Sequence, residues 1–421
     1  MTVTPEIVTP SPPQHSRNRA RYVWRLISLL LAALVALSGV RLITGMDVLT
    51  SSGTVRTTLA FAVPIGLAAL GGLWAERAGI INIGLEGMMI FGTWFGAYFA
   101  VTTGNPWLGL AAGIGGGMLG GLLHALATVT FGVDHIVSGV AVNLLAEGAV
   151  RYLAIQFFEG MPGGGAGQSP PLPDFPRISL PLVEQFLSPV ENLGWFLLSD
   201  VAALVIGLTT SMSIIALIAV LLLPASYVLL WRSPFGLRLR SVGENPDAAE
   251  SLGISVYTYK YIALLVSGGL AGMGGVFLAM VASSAYQEGQ TGGRGYIGLA
   301  AMIFGNWRPS GVAMGAGLFG YTDAMQIRGG GEAVHALLLV VGAALLAVAV
   351  WQLRRGNRLV AAASVVVAAA LLAWFLNADT VPRQLATYSP HMATLLVLAL
   401  AAQRLRPPAA VGRQWRRSKG A

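Results

Sequence analysis

Apolar runs of about 18 residues or more, the length a helix needs to cross a ~30 Å hydrocarbon core, recur from one end of the chain to the other. They fall near 26–44, 58–75, 85–103, 107–131, 136–156, 205–231, 256–282, 296–306, 310–327, 334–352, 359–376 and 388–403, the run at 296–306 being too short to cross alone. Only 10% of the 421 residues are charged, against roughly 25% in a soluble domain, and the mean hydropathy is +0.69. The expected class is an all-α integral membrane protein. Basic residues precede the first run and no small-residue cleavage site follows it, so it reads as an uncleaved helix.

Lys and Arg collect on the cytoplasmic side of membrane proteins. An N-terminus inside places 19 of the 26 basic residues there, including Arg17, Arg19, Arg21 and Arg25, the cluster Arg354, Arg355 and Arg358, and the C-terminal tail. Both termini are therefore expected in the cytoplasm. The net charge of +8 then reports topology and attraction to anionic lipid; the charges sit in separate loops, with no groove-sized cluster for nucleic acid. There is no cysteine, and the five histidines are scattered, so no metal site is expected. The chain has only two lysines, Lys260 and Lys419, neither in a GxxxxGK[ST] loop. Any ATP is expected on a partner subunit.

Residues 1–22, with four prolines in the first sixteen, read as a disordered cytoplasmic tail. The longest external segment, about 157–198, has only short apolar pieces. Within the interior loop 232–255, Asn245 is placed to cap a two-turn helix that opens with Pro246, continues through Asp247, Ala248, Ala249 and Glu250, and stops at Gly253. Such a helix is too short to stand alone. The hexapeptides "MIFGTW" (89–94) and "MIFGNW" (302–307) lie on runs of opposite expected direction, the sign of an inverted repeat.

At "RSVGENPDAAESLGI" the chain resembles the coupling segment of the permease subunits of bacterial ABC importers for branched-chain amino acids, ribose-type sugars and nucleosides. "AALGGLWAERAGIINIGLEGMMIFG" (68–92), "DHIVSGVAVNLLA" (134–146), "GGLAGMGGVFLAM" (268–280), "GRGYIGLAAMIFGNWRPSGVAMGAGLFGYTDAMQIR" (293–328) and "VPRQLATYSPHMATLLVLAL" (381–400) are similar to the second permease of nucleoside importers. The resemblance implies a permease core at 23–327, an inserted helical hairpin at 328–378 and a final helix with a basic tail at 379–421. That makes about ten core transmembrane helices plus two. It implies ATPase coupling through Glu244, Asn245, Pro246, Asp247, Ala248, Ala249, Glu250 and Gly253. It also implies a homologous permease, ATP-binding subunits and an extracytoplasmic binding protein as partners, a bacterial plasma membrane location, and no catalysis or cofactor in this chain. Sugar or branched-chain amino acid is the alternative substrate; an ion-coupled secondary transporter, with Glu86 or Glu147 as its carboxylate, is the rival from another class.

Polar residues within spans are costly in hydrocarbon and are candidates for the pathway. His135, Gly139, Asn143, Glu147 and Arg151 recur at intervals of four and are expected in one row on a helix, with Glu147 and Arg151 in the order that favours a local ion pair. Asn143 lines a pathway or bonds a neighbouring helix. In "WAERAGIINIGLEG", Glu76 and Arg77 are expected at a cytoplasmic surface turn, Asn82 as a helix cap and Glu86 in the first turn beyond it; Asn82 and Glu86 are candidates for an inner gate. Asp323 is a candidate for the outer mouth, and Tyr286, Gln287, Glu288 and Arg294 fall on an expected external turn. The glycines of 113–121 and 268–275 are expected to let helices pack closely.

Overall fold

The structure is a computed structural model that describes residues 14–389, 392 and 405–415. α1 (Gln14–Thr44) already begins inside the segment expected to be a disordered tail. α2 (Ser52–Arg77) is capped by Ser51, and α3 (Leu85–Thr103) follows. Next come α4 (Pro106–Ala125), extended by a π-helical turn to Thr130, and α5 (His135–Phe158). Between the long helices lie β1 (Arg177–Ile178), α6 (Pro181–Asn192), α7 (Leu198–Thr209) and β2 (Met212–Ser213), and the two short strands pair antiparallel. α8 (Ile214–Arg232), α9 (Pro234–Glu244), α10 (Pro246–Ser251) and α11 (Val256–Phe277, with a π-helical turn to Ala282) lead to α12 (Arg294–Phe304). α13 (Pro309–Arg354), α14 (Arg358–Asn377) and α15 (Arg383–Thr387) complete the order.

Among the described residues seven helices are long and apolar enough to cross a membrane, with Leu30–Thr44, α7 and α12 as shorter apolar helices. The difference from the twelve expected runs has local causes. The run 205–231 is broken where "TTSMS" (209–213) offers hydroxyls instead of helix formers: Ser211 turns to φ +54 and the Ser213 side chain caps α8. The runs 310–327 and 334–352 join in α13, bent at Gly330, whose φ of 54 and ψ of −142 are not helical. Glycine takes that backbone without a Cβ clash. Most of the expected run 388–403 lies outside the described residues.

The core is built from α2, α3, α4, α11, α12 and α13. α4 meets α11 along Gly113, Gly117 and Gly121, where an added Cβ would fall on Val276, Gly268 and Leu264. Backbones approach closely here because no side chain intervenes. The hexapeptide pair marks a wider correspondence: "LAALGGLW" (67–74) in α2 is matched by "LAGMGGVF" (270–277) in α11. Their contacts are reciprocal. A Cβ on Gly71 would meet the Ser267 carbonyl, and one on Gly274 the Pro64 carbonyl. α3 packs on α11 as α12 packs on α2, and α4 packs on α11 as α13 packs on α2. This exchange of neighbours is that of an inverted repeat.

The periphery is looser. α1 is tied to α7 by the Arg41–Asp200 ion pair at 3.1 Å. The second half of α13 packs on α14, with Gly342 against Leu372.

Candidate functional site

α2 ends at Arg77, and Gly79 at φ +88 reverses the chain. Glu76 is buried rather than on a surface turn. Its carboxylate accepts from Trp307 Nε1 at 2.5 Å, and Arg77 Nη2 donates to the Trp307 carbonyl at 2.6 Å. The turn after α2 is thus bolted to the turn after α12.

The next residues rise into the core. Ile81 is held on both sides, its N–H reaching His135 Nδ1 at 3.4 Å and its carbonyl lying 3.1 Å from His124 Nε2. Asn82 does not cap α3, which Gly84 precedes without a side-chain cap. It is buried, and its Nδ2 donates to Ser267 Oγ at 2.9 Å. Its Oδ1 is buried without a hydrogen-bond partner. The cap comes instead from α5: Asn143 Oδ1 accepts from the Gly87 N–H at 2.7 Å, one of the first-turn donors that a helix leaves unsatisfied. Asn143 Nδ2 donates to the Ile83 carbonyl at 3.1 Å and to the Tyr296 hydroxyl at 2.8 Å.

Glu86 serves α12 in the same way. Its two carboxylate oxygens accept from the N–H groups of Gly293 at 2.9 Å and Gly295 at 2.7 Å. Charge-assisted bonds at the positive end of a helix favour a carboxylate. α12 has 11 residues and rises about 16 Å, half a hydrocarbon core. The end of the segment 283–293, expected at the outer face, thus meets the start of α3, which follows a turn expected at the inner face. Arg294, between the two bonded glycines, lies 3.9 Å from Asp323 and stacks over Phe61 with its Cζ 5.5 Å from the ring centroid.

Of the five pathway candidates, Asn82, Glu86, Asn143 and Asp323 thus converge on the N-termini of α3 and α12, and His135 supports the turn between α2 and α3. The row along α5 does not stay on one face. Steps of four residues drift by about 40° each, so His135, Gly139 and Asn143 are buried while Glu147 and Arg151 are exposed. Arg151 pairs with Glu288 at 3.4 Å instead of with Glu147. Sequence reasoning missed His124, Ser267 and Tyr296. His124 carried the signal of a polar residue within a span; Ser267 and Tyr296 carried none.

The second cluster is the 244–253 segment. Asn245 caps α10, its Oδ1 accepting from the Ala248 N–H at 3.0 Å, and the chain leaves α10 through Gly253 at φ +77. Pro246 and Ala249 are buried; Asp247 and Ala248 are exposed, and Leu252 is 81% exposed. A strap formed by residues 405–415 crosses this face. Ala410 N–H donates to the Gly243 carbonyl at 3.0 Å and Gly412 N–H to the Gly79 carbonyl at 3.1 Å. Ala409 N–H donates to Glu244 at 3.1 Å and Trp415 Nε1 to Asp247 at 2.7 Å. The strap therefore joins the capped segment to the α2–α3 turn. Among the described residues no group of acidic, histidine or cysteine side chains is arranged to hold a metal ion.

Residues 54–349 match the family described as branched-chain amino acid transport system / permease component. The guanosine ABC transporter permease protein NupQ of Bacillus subtilis is 38% identical over 65% of this chain and 82% of its own length. The nucleoside ABC transporter permease protein NupC of Lactococcus lactis is 35% identical over 66% of this chain and 82% of its own. The putative glucose ABC transporter permease protein TsgC13 of Haloferax volcanii is 34% identical over 66% and 78%. No solved structure matches. With most of the helical core inside the matched range, the chain belongs to this permease family and is a multi-pass ABC transporter permease.

Proposed function

We propose that the chain is one of two homologous permease subunits of a nucleoside importer in a bacterial plasma membrane, with both termini in the cytoplasm. The likeness to the guanosine permease, over 82% of that protein, is the observation that carries the substrate class. In this reading an ATP-binding subunit docks on Glu244, Asn245, Pro246, Asp247, Ala248, Ala249, Glu250 and Gly253, where Leu252 offers an exposed apolar knob. An extracytoplasmic binding protein delivers the solute, a second permease completes the pathway, and this chain has neither an ATPase site nor a cofactor. Lipid surrounds the remaining faces, and the hairpin 328–378 is an addition to the core.

The gate is the pair of helix starts at Glu86 and Gly293. Docking of the ATPase moves the 244–253 segment, and the strap carries that motion to Gly79 and on to Asn82. Its unpartnered Oδ1 is a polar group that gains a partner when the segment shifts. Partner binding biases the two states by its differential affinity for them. A carboxylate held by two backbone N–H groups, as Glu86 is, argues against Glu86 as the carboxylate of the ion-coupled rival. Sugar is the second reading, favoured by the Haloferax relative.

The test is uptake by vesicles containing this chain with its companion permease, ATPase and binding protein. Guanosine uptake that needs internal ATP and persists with a proton uncoupler is expected. Uptake that ignores ATP and collapses with the uncoupler sinks the reading.

A further inference from the structure

α5 leaves most of its surface uncovered: only 33% of its most apolar window is buried, and Val140, Leu144, Tyr152 and Ile155 are exposed. Those side chains suit lipid or a neighbouring subunit equally well. Glu147 does not suit lipid. It lies at the midpoint of the 24-residue helix, about 17 Å from either end, and is exposed. It has no hydrogen-bond or ion-pair partner among the described residues. A carboxylate facing lipid at the bilayer centre is expensive.

The surroundings give it direction. Arg151, one turn on, is engaged by Glu288 at 3.4 Å. One turn before, Asn143 donates to the hydroxyl of Tyr296, which is 47% exposed. Asn143 with Tyr296, Glu147, and Arg151 with Glu288 thus lie one turn apart along α5, a polar stripe that drifts from the buried to the exposed side of the helix. A stripe of this kind fits a hydrated pathway.

We infer that Glu147 is a solute-recognition residue of that pathway, accepting hydrogen bonds from the hydroxyls of a neutral polyhydroxylated solute. This rests on the proposed nucleoside reading, in which the ribose supplies the hydroxyls. An ionised carboxylate is an acceptor only, with two oxygens placed to take both hydrogens of a vicinal diol. Its charge also repels phosphorylated analogues, which gives selection by exclusion as well as by attraction.

The absence of cysteine from this chain makes the thiol of Glu147→Cys the single one in it, so labelling is read on this subunit after separation from its partners. In vesicles it is expected to react with a hydrophilic methanethiosulfonate reagent, and guanosine is expected to slow that reaction; Val366→Cys on exposed α14 should stay unlabelled. For uptake, Glu147→Gln is expected to raise the KM for guanosine about tenfold, the scale of one charge-assisted hydrogen bond. The KM for 2′,3′-dideoxyguanosine should change less than about twofold, since that solute lacks both hydroxyls. The same binding protein serves both variants, so the split reports on the permease, and Glu147→Asp should recover most of it.

An unlabelled Glu147→Cys overturns the inference, as does an equal KM change for both solutes. So does loss of co-purification with the companion permease in Glu147→Gln but not Glu147→Asp, which makes Glu147 a subunit contact. If no nucleoside is taken up but glucose is, and glucose protects Glu147→Cys, the nucleoside reading fails and the role of Glu147 stands. If no solute protects the thiol, the role fails too.

Discussion

The α2–α3 and α11–α12 pairs share a double glycine, an aromatic residue after it and a hexapeptide that begins MIFG, yet they do different things where the chain reverses. The first reverses in the short stretch 78–84 and restarts at Leu85; the second runs through a π-helical turn and the longer stretch 283–293 before restarting at Arg294. Glu86 sits in the first turn of α3, whereas the corresponding part of α12 carries only Leu299 and Ala300. The two restarts face each other, and only that of α3 brings a carboxylate. A symmetric pair of carboxylates would repel at this contact, while one carboxylate satisfies two donors of the opposite helix. The repeat supplies a crossing framework, and its asymmetry supplies the lock.

That comparison can be broken at its shared part first. Gly71→Leu and Gly274→Leu place side chains on the Ser267 and Pro64 carbonyls, backbone that cannot move aside. Each should abolish a monodisperse, detergent-extracted protein, since overpacking of this kind costs about 3 kcal/mol or more. If only one of the two does so, the two crossings are not equivalent.

The asymmetric part comes next. Glu86→Leu strands the Gly293 and Gly295 N–H groups, at about 1–3 kcal/mol each, and a fall in thermal unfolding temperature of several degrees is expected. Leu299→Ala, at the matching place in α12, should cost less, because Leu299 is only half-buried. An equal fall for both would mean that Glu86 is ordinary packing.

Smaller effects belong outside the repeat. Trp415→Ala removes a hydrogen bond to Asp247 and an edge-on contact with Tyr257 at 5.4 Å, a loss of about 1–2 kcal/mol confined to the strap. Faster hydrogen exchange at residues 244–253 with an unchanged global unfolding temperature is expected. Val366→Ala on α14 should change stability by about 0.5 kcal/mol or less, because Val366 is 68% exposed. A larger change would show that the hairpin is covered in the assembled transporter.

Much of the site was legible as residue type and little as partnership. Asn143 and Glu86 stand out as polar groups in apolar runs, and Asn245, Pro246 and Gly253 spell a short capped helix, which the structure contains. A cap is a local rule: the side chain bonds a backbone group two or three residues away. Asn82 obeys the same composition and fails the rule, because Ser267 competes for its side chain from across the core.

Helix placement along the sequence followed hydropathy alone, which cannot separate lipid from protein interior since both are apolar. α11 and α14 make the point: 83% of the apolar window is buried in one and 17% in the other. What differs is glycine, with five between 268 and 275 in α11 and none in α14. Sequence by itself therefore determined that the chain spans a membrane, where α3, α4, α5 and α11 begin and which short segment is capped, because hydrocarbon length and backbone satisfaction act locally. Only the tertiary structure decided that α12 is a half-helix facing α3, that Glu86 and Asn143 each cap another helix, and that Glu147 is left uncovered. Those outcomes depend on which backbones approach across the core, and that is set by the pairing of glycine faces far apart in the chain.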